Sequence, residues 1–184
     1  NLIQQQADND FIKFYTAYVK AVSVSNNSLR EKKGFPLCPY TINALPLTIH
    51  SSFRKFGQKG KEVRPVISEK MTYYSKIKSV QTEYDTELLS MSPVTSKNDI
   101  FRVRCKITKG FRHQVRCHLS WIGLPILGDE VYGITNELNI PDVEIPMLFF
   151  ADSLEFNDPV THKKVNYSAD SSFFDAICLT SASR

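Results

Sequence analysis

Residues 101–133, FRVRCKITKGFRHQVRCHLSWIGLPILGDEVYG, constrain the fold more than any other stretch of the chain. Phe101, Val103, Cys105 and Ile107 alternate with Arg102, Arg104 and Lys106. Period-two alternation predicts a half-buried strand, with the apolar set toward a core and the three cations outward. Thr108-Lys109-Gly110 breaks the strand. From Arg112 the period lengthens: Val115, Leu119 and Ile122 fall at i, i+4 and i+7, which predicts a helix with one apolar stripe. Gly123, followed two residues later by Pro125, is a helix stop. The predicted helix start presents Arg112, His113 and free backbone N–H groups, a combination that attracts phosphate. Residues 101–118 hold six cations and no carboxylate, a density that points to a bound anion.

The rest of the charge is uneven as well. The 184 residues carry a net charge of only +4, with 42% apolar and 23% charged content, which suits one soluble domain with a real core. Residues 54–78 contain eight cations against Glu62 and Glu69, whereas residues 129–175 contain ten carboxylates against Lys163 and Lys164. A local basic patch on an acidic remainder fits a polyanion footprint. Taken alone, the 54–78 run reads as a solubilising face. Cys38, Cys105, Cys117 and Cys178 lack C-x-x-C spacing, so free thiols in a reducing cytoplasm are expected. A zinc site using His113 and His118 is discounted, because five residues place them about 140° apart on a helix. His50 and His162 read as structural or surface residues. No signal peptide or apolar run long enough for a membrane helix is visible. The opening NLIQQQADND, without Met, reads as part of a longer polypeptide.

Along the chain, residues 2–12 suggest the end of a helix and 13–24 a strand. Residues 25–39 read as a loop and 45–50 as a short strand. The basic, glycine-punctuated 54–64 stretch reads as a hairpin or loop over the surface. Residues 70–80, 84–91 and 147–156 suggest further strands. Residues 134–146 suggest a loop, and Asn157-Asp158-Pro159 a turn that returns 163–168 as a hairpin partner. The expected class is α+β: a single domain, 1–184, built on a mixed, largely antiparallel sheet with flanking helices.

Three blocks resemble the RluA-type RNA pseudouridine synthases, in the family's order. Lys13-Phe14-Tyr15-Thr16-Ala17-Tyr18-Val19 resembles the K-x-Y-x-A-x-V strand. Gly110 to Tyr132 is similar to G-R-x-H-Q-I-R-x-H-L followed by G-x-P-I-x-G-D-x-x-Y. Ala151, Leu154, Phe156 and Pro159 resemble the closing L-H-A-x-x-L-x-F-x-H-P, and Thr72-x-Tyr74 is a weak fourth match to a T-x-Y strand. The resemblance implies the C-terminal part of a catalytic domain that isomerises uridine in structured RNA, ribosomal or transfer RNA. It implies no cofactor and no metal, and an RNA cleft across one sheet face. A cytoplasmic monomer without membrane contact is expected. Two departures stand out. The family's aspartate nucleophile lies in an R-L-D-x-x-T-S-G block that these residues do not contain; Asp8 and Asp10 are too near Tyr15 to replace it. Phe111 takes the place of the family's arginine, so Arg112 or Arg116 is the substitute.

The chemistry explains these residue types. Making pseudouridine breaks N1–C1′, turns the uracil and joins C5 to C1′. A carboxylate starts the reaction, and a guanidinium beside it keeps it ionised. The resemblance assigns Tyr15 to stack on the base or take the C5 proton, and Leu127 to line the uracil pocket. The target base must leave its stack, which calls for cations around an aromatic pocket. Arg102, Arg104, Lys106, Lys109, His113, Gln114 and Arg116 are the candidate RNA contacts. Each residue has a plainer alternative. Tyr15 and Leu127 could be core, His113 and Gln114 could serve the helix start, Asp129 could order the Gly128–Tyr132 turn, and Trp121 could pack. A non-catalytic RNA-binding domain on the same scaffold is the second functional reading. A basic structural or protein-interaction domain is the third.

Overall fold

In the computed structural model, residues 2–7, 10–22, 34–67, 80–94, 99–133 and 146–170 are described. Seven strands form one sheet: β1 (Ile12–Lys20), β2 (Leu47–Phe56), β3 (Glu62–Val66), β4 (Tyr84–Pro93), β5 (Ile100–Ile107), β6 (Phe149–Asn157) and β7 (Lys164–Ser168). Their order is β3-β2-β4-β5-β1-β6-β7, and every neighbouring pair is antiparallel. The short helix α1 (Leu2–Ala7) meets the end of β6 through Gln5, whose amide bonds both to and from the Asn157 backbone. Helix α2 (Gln114–Trp121) lies on one face of the sheet. The strand expected at 70–80 and the loop expected at 134–146 lie outside the described residues except for their last residues, Val80 and Pro146, and so do Thr72, Tyr74 and Cys178.

The alternation in β5 does what its pattern demands. Val103, Cys105 and Ile107 enter the main core with Ala17 and Val19 of β1, Leu88 of β4, and Ile49 and Phe53 of β2. Arg102, Arg104 and Lys106 therefore face away from α2. The basic 54–64 stretch takes the hairpin form of the hairpin or loop expected there, but it does not lie wholly on the surface. β2 runs on to Phe56, a single 3-10 turn spans Gln58–Gly60, and β3 begins at Glu62. Val63 and Arg64 are buried. The apolar, inward-facing Ile49 and Phe53 extend the strand, and the basic residues around them hide that pattern.

Helix α2 differs from expectation in two ways. It starts at Gln114, two residues late, because His113 takes the left-handed conformation (φ 57°) and the Gln114 side chain reaches back to accept a hydrogen bond from the Phe111 amide at 2.8 Å. It is also buried on nearly every side, not along one stripe. The Val115, Leu119 and Ile122 stripe packs on the sheet. Trp121 is buried on another side, donating to the Pro36 carbonyl at 2.9 Å with Tyr40 edge-on to its ring. Such a helix survives because its buried polar groups are partnered. Gln114 Nε2 donates to the Asp85 carbonyl at 2.7 Å, and Ser120 to the Tyr132 carbonyl at 2.8 Å. His118 lies between Ser51 and Thr86, 2.8 Å from each hydroxyl. Truncating Leu119 to Ala in this core should cost ~2–5 kcal/mol.

His118 makes the fold acid-sensitive. Burial, helped by His50, drops its pKa from 6.5 to about 3, so the folded ring is neutral. The unfolded chain binds that proton more readily. The His118 contribution to stability is thus complete above the ordinary value of 6.5 and declines as pH falls toward about 3. Acidifying from neutrality to pH 5 should remove about 2 kcal/mol through this one group. Chemical denaturation at several pH values should show the loss in the wild type and a flatter profile in His118→Gln. Parallel profiles would refute the assignment.

Candidate functional site

The turn between β5 and α2 builds a cationic corner. Gly110 leaves space that Lys13 uses: a Cβ placed on Gly110 would lie 4.0 Å from the Lys13 ammonium. Lys109 sits over the Tyr84 ring, 5.5 Å from its centroid. Arg112 is exposed and donates to the Lys61 carbonyl at 2.8 Å, which ties the β2–β3 hairpin to the same corner. Phe111, in the position of the family's arginine, points inward. Its ring stacks on Phe53 at 5.1 Å with planes 2° apart, and meets Tyr84 at 5.1 Å.

Beneath the corner lies a second arginine, bound internally. Arg116 grips Asp129 with two parallel hydrogen bonds of 2.8 and 2.6 Å. Asp129 Oδ1 also accepts from the Val131 and Tyr132 amides at 3.0 and 3.1 Å, so the carboxylate orders its own turn. Burial pushes the Asp129 carboxyl up, but Arg116 and the two amides outweigh it and hold it below its ordinary value. The Tyr132 ring lies under Arg116 at 5.2 Å and under Arg64 at 5.6 Å. Its hydroxyl accepts from the Val63 amide at 2.9 Å and contacts His113 Nδ1 at 3.1 Å. Burial pushes that phenol up to about 12. Burial, then Arg116 and Arg112, lower the His113 pKa, so this ring is neutral near pH 7.

The candidate RNA contacts thus fall into separate groups. Lys109, Arg112 and His113 share the corner, with Gln114 buried just behind them and Arg116 paired to Asp129. Arg102, Arg104 and Lys106 lie on the opposite sheet face. There Arg104 bonds Asp152 at 3.0 Å and Lys106 bonds Glu87 at 2.8 Å.

Tyr15 lies across from Cys105 on one side and Ala151 on the other, half-buried, with its ring stacked on Phe149 at 5.2 Å. Burial raises its phenol pKa, so it is un-ionised at neutral pH. It shares the α2 face with Lys13, one pleat nearer the corner. Leu127 is buried in a different cluster, with Tyr18 and Leu148, and its backbone bonds to both residues. Tyr15 and Leu127 are therefore not packed together. Sequence reasoning missed Arg64, buried among Phe35, Phe56 and Tyr132. It also missed Asp152, which accepts from Thr16 at 2.8 Å. An aspartate inside the apolar MLFFADSLEF run was a readable signal for the second. Among the described residues no group of three or more His, Cys, Asp or Glu side chains is placed to hold a metal. No described helix is long and apolar enough to cross a membrane.

Comparison with known proteins agrees with this fold. No family model matches the chain. It is 30% identical over 99 residues to an uncharacterized RNA pseudouridine synthase of Helicobacter pylori, covering 53% of this chain and 29% of that protein. It is 39% identical over 71 residues to RNA pseudouridine synthase 1 of Oryza sativa subsp. japonica, covering 39% of this chain and 20% of that protein. The chain therefore spans less than a third of the length of these curated relatives. Human RNA Pseudouridylate Synthase Domain Containing 1 superposes with a TM-score of 0.62 at 17% identity, over 96% of this chain and 62% of that one, which shows the shared fold. The human Domain Containing 4 protein does so with a TM-score of 0.58 at 15% identity, over 98% of this chain and 65% of that one. Matching sequence stretches and a matching antiparallel sheet together show that this chain is similar to RNA pseudouridine synthases and shares their fold.

Proposed function

We propose that these 184 residues form the C-terminal part of the catalytic domain of an enzyme that isomerises uridine to pseudouridine in structured RNA, ribosomal or transfer RNA. The observation that carries this reading is a juxtaposition. The three matching blocks, far apart in sequence, meet along β1: Tyr15 of the K-x-Y strand is register partner to Ala151 of the closing block, and Val19, four residues on, bridges to Ile126 of the middle block. In the reaction N1–C1′ breaks, C5–C1′ forms, C5 loses its proton and N1 gains one. The starting carboxylate comes from outside these residues. Tyr15 offers a neutral, half-buried ring for the detached uracil. Arg112 is the arginine at hand to keep the carboxylate ionised, because Arg116 is already bound to Asp129. Leu127 belongs to the uracil pocket only if the bound base draws the two apolar clusters together.

One observation favours a second reading, a non-catalytic RNA-binding domain. Phe111 fills the arginine's place with an inward-packed ring. The two readings separate in one assay. A full-length protein carrying this chain should release tritium from 5-³H-uridine RNA without added metal or nucleotide, and the 184 residues alone should release none. Release by the 184 residues alone would sink the external-carboxylate assignment. RNA binding by the full-length protein without release selects the second reading.

Tyr15 separates catalysis from packing in the same protein. Tyr15→Leu should lose turnover by on the order of 10²–10⁴. Its folding stability should fall only by the lost stacking on Phe149, about 0.5–1.5 kcal/mol. Tyr15→Phe keeps the stack and reports on the hydroxyl alone. Intact turnover per folded molecule in Tyr15→Leu refutes the catalytic role.

The corner is tested by binding. Arg112→Ala and Lys109→Ala should each weaken RNA binding about equally across sequences and lower the salt-dependence slope by about 1. Unchanged affinity and slope in both variants would remove the corner from the interface.

A further inference from the structure

The sheet face away from α2 holds a cavity of about 350 Å³ that the proposed reaction does not use. Thr16 and Asp152 contribute to its lining, together with two cross-strand pairs in register: Ser90 opposite Arg104 and Ser92 opposite Arg102. Asp152 is buried, and its oxygens are occupied by Thr16, Arg104 and Ser153 at 2.8, 3.0 and 2.9 Å. This carboxylate therefore works as an anchor for Arg104. The Arg104 guanidinium also lies 4.7 Å from the Phe14 ring centroid and donates through Nη2 to Ser153 at 2.9 Å. Its Nη1 makes no hydrogen bond to any described residue. A guanidinium held on a carboxylate, a ring and a hydroxyl is a pre-oriented donor, and such a fork matches phosphate oxygens. Arg102 lies beside it in the lining, and the Ser90 and Ser92 hydroxyls stand on exposed positions of β4.

We propose that this cavity is a second phosphate-ester site, which takes a backbone phosphate and its ribose from the same RNA that reaches the cationic corner; it rests on the RNA reading above. β5 connects the two places. Arg104 and Lys109 are five residues apart, at most roughly 17 Å, since β5 ends at Ile107 and the chain bends after it. A single-stranded stretch of RNA passing over the end of β5 can touch both. Arg102 and the Ser90 and Ser92 hydroxyls donate to the phosphate. The occupied Asp152 keeps Arg104 aimed at it.

The test is titration of a fluorescein-labelled RNA hairpin with single-stranded flanks against the full-length protein at several salt concentrations. Arg102→Ala should weaken binding on the order of tenfold and lower the salt slope by about 1, with Arg102→Lys in between. Ser92→Glu, on an exposed position clear of the Asp152 anchor, should weaken binding similarly by placing a carboxylate in the cavity. Both variants should melt within a degree or two of wild type, and trimming the flanks from the RNA should erase their effect. Wild-type affinity and slope in Arg102→Ala and Ser92→Glu, alongside weakened binding in Arg112→Ala, would overturn this site and leave the RNA reading standing. Unchanged binding in all three would overturn both. Tight binding of uridine 5′-monophosphate alone, abolished by Arg102→Ala, would identify a free-nucleotide site and overturn the RNA-backbone assignment.

Discussion

The geometry of the candidate site hangs on the Arg116–Asp129 pair. Asp129 is fully buried at its side chain and Arg116 is 15% exposed, so neither charge tolerates losing the other. Breaking such a pair commonly costs ~3–5 kcal/mol, because one charge is left buried alone. The pair joins α2 to the turn that ends in Gly133. That turn closes by a hydrogen bond from the Gly133 amide to the Asp129 carbonyl at 2.8 Å. A Cβ on Gly133 would come within 2.2 Å of that carbonyl oxygen, so only glycine fits. The closed turn places Tyr132, whose hydroxyl takes up the Val63 amide and holds the hairpin of β2 and β3. One ion pair thus transmits order from the helix to the turn, the ring and the hairpin.

This arrangement also decides which charges remain to meet a polyanion. Arg64 pairs with Glu62, Arg104 with Asp152, Lys106 with Glu87, Arg116 with Asp129 and Lys164 with Glu155. By contrast, the partners described for Lys13, Lys109 and Arg112 are neutral: the Phe11 ring, the Tyr84 ring and the Lys61 carbonyl. A cation held by a ring or a carbonyl keeps its net charge for a ligand, whereas one held by a carboxylate is neutralised and keeps only the N–H donors that the carboxylate leaves unused. The total of +4 therefore understates the corner, where the surplus collects at the mouth of the β5–α2 turn.

The sequence makes the elements with strict periods legible and conceals those whose signal is tertiary. The alternation from Phe101 to Ile107 predicts β5 and its two faces correctly, because each inward position is apolar. The stripe of α2 is readable, but its burial on other sides is not. Gln114, His118 and Ser120 look like a wet face until Asp85, Thr86 and Ser51 arrive from distant strands and Tyr132 from its turn. The late helix start depends on a left-handed His113, a conformation that no propensity favours outside glycine and a few polar residues. The basic hairpin misleads for an electrostatic reason. Arg64 is buried, an unusual place for arginine, and is stabilised there by Glu62 and by Phe35, Phe56 and Tyr132 from elsewhere in the chain. At the site, the order of the three blocks is legible. Which cations share a face is legible only in part, since strand parity separates Arg102, Arg104 and Lys106 from the helix while partner choice is set in three dimensions.

Two faces of one sheet therefore present different kinds of positive charge, and the difference has a physical consequence. Salt at physiological strength screens exposed charges beyond about 8 Å. Charges on opposite faces of a sheet cannot act as one field at that strength, so each face must bind an anion through its own contacts. The corner does so with side chains of long reach, Lys13, Lys109 and Arg112, whose partners are weak enough to release them. The opposite face does so with Arg104 fixed in advance by Asp152, Phe14 and Ser153. Flexible cations capture a polyanion at low cost in geometric precision. A pinned guanidinium selects a single oxygen geometry and loses little side-chain freedom on binding. On the proposed reading, a chain built this way would gather RNA loosely at the turn while holding one phosphate in fixed register on the far side of β5.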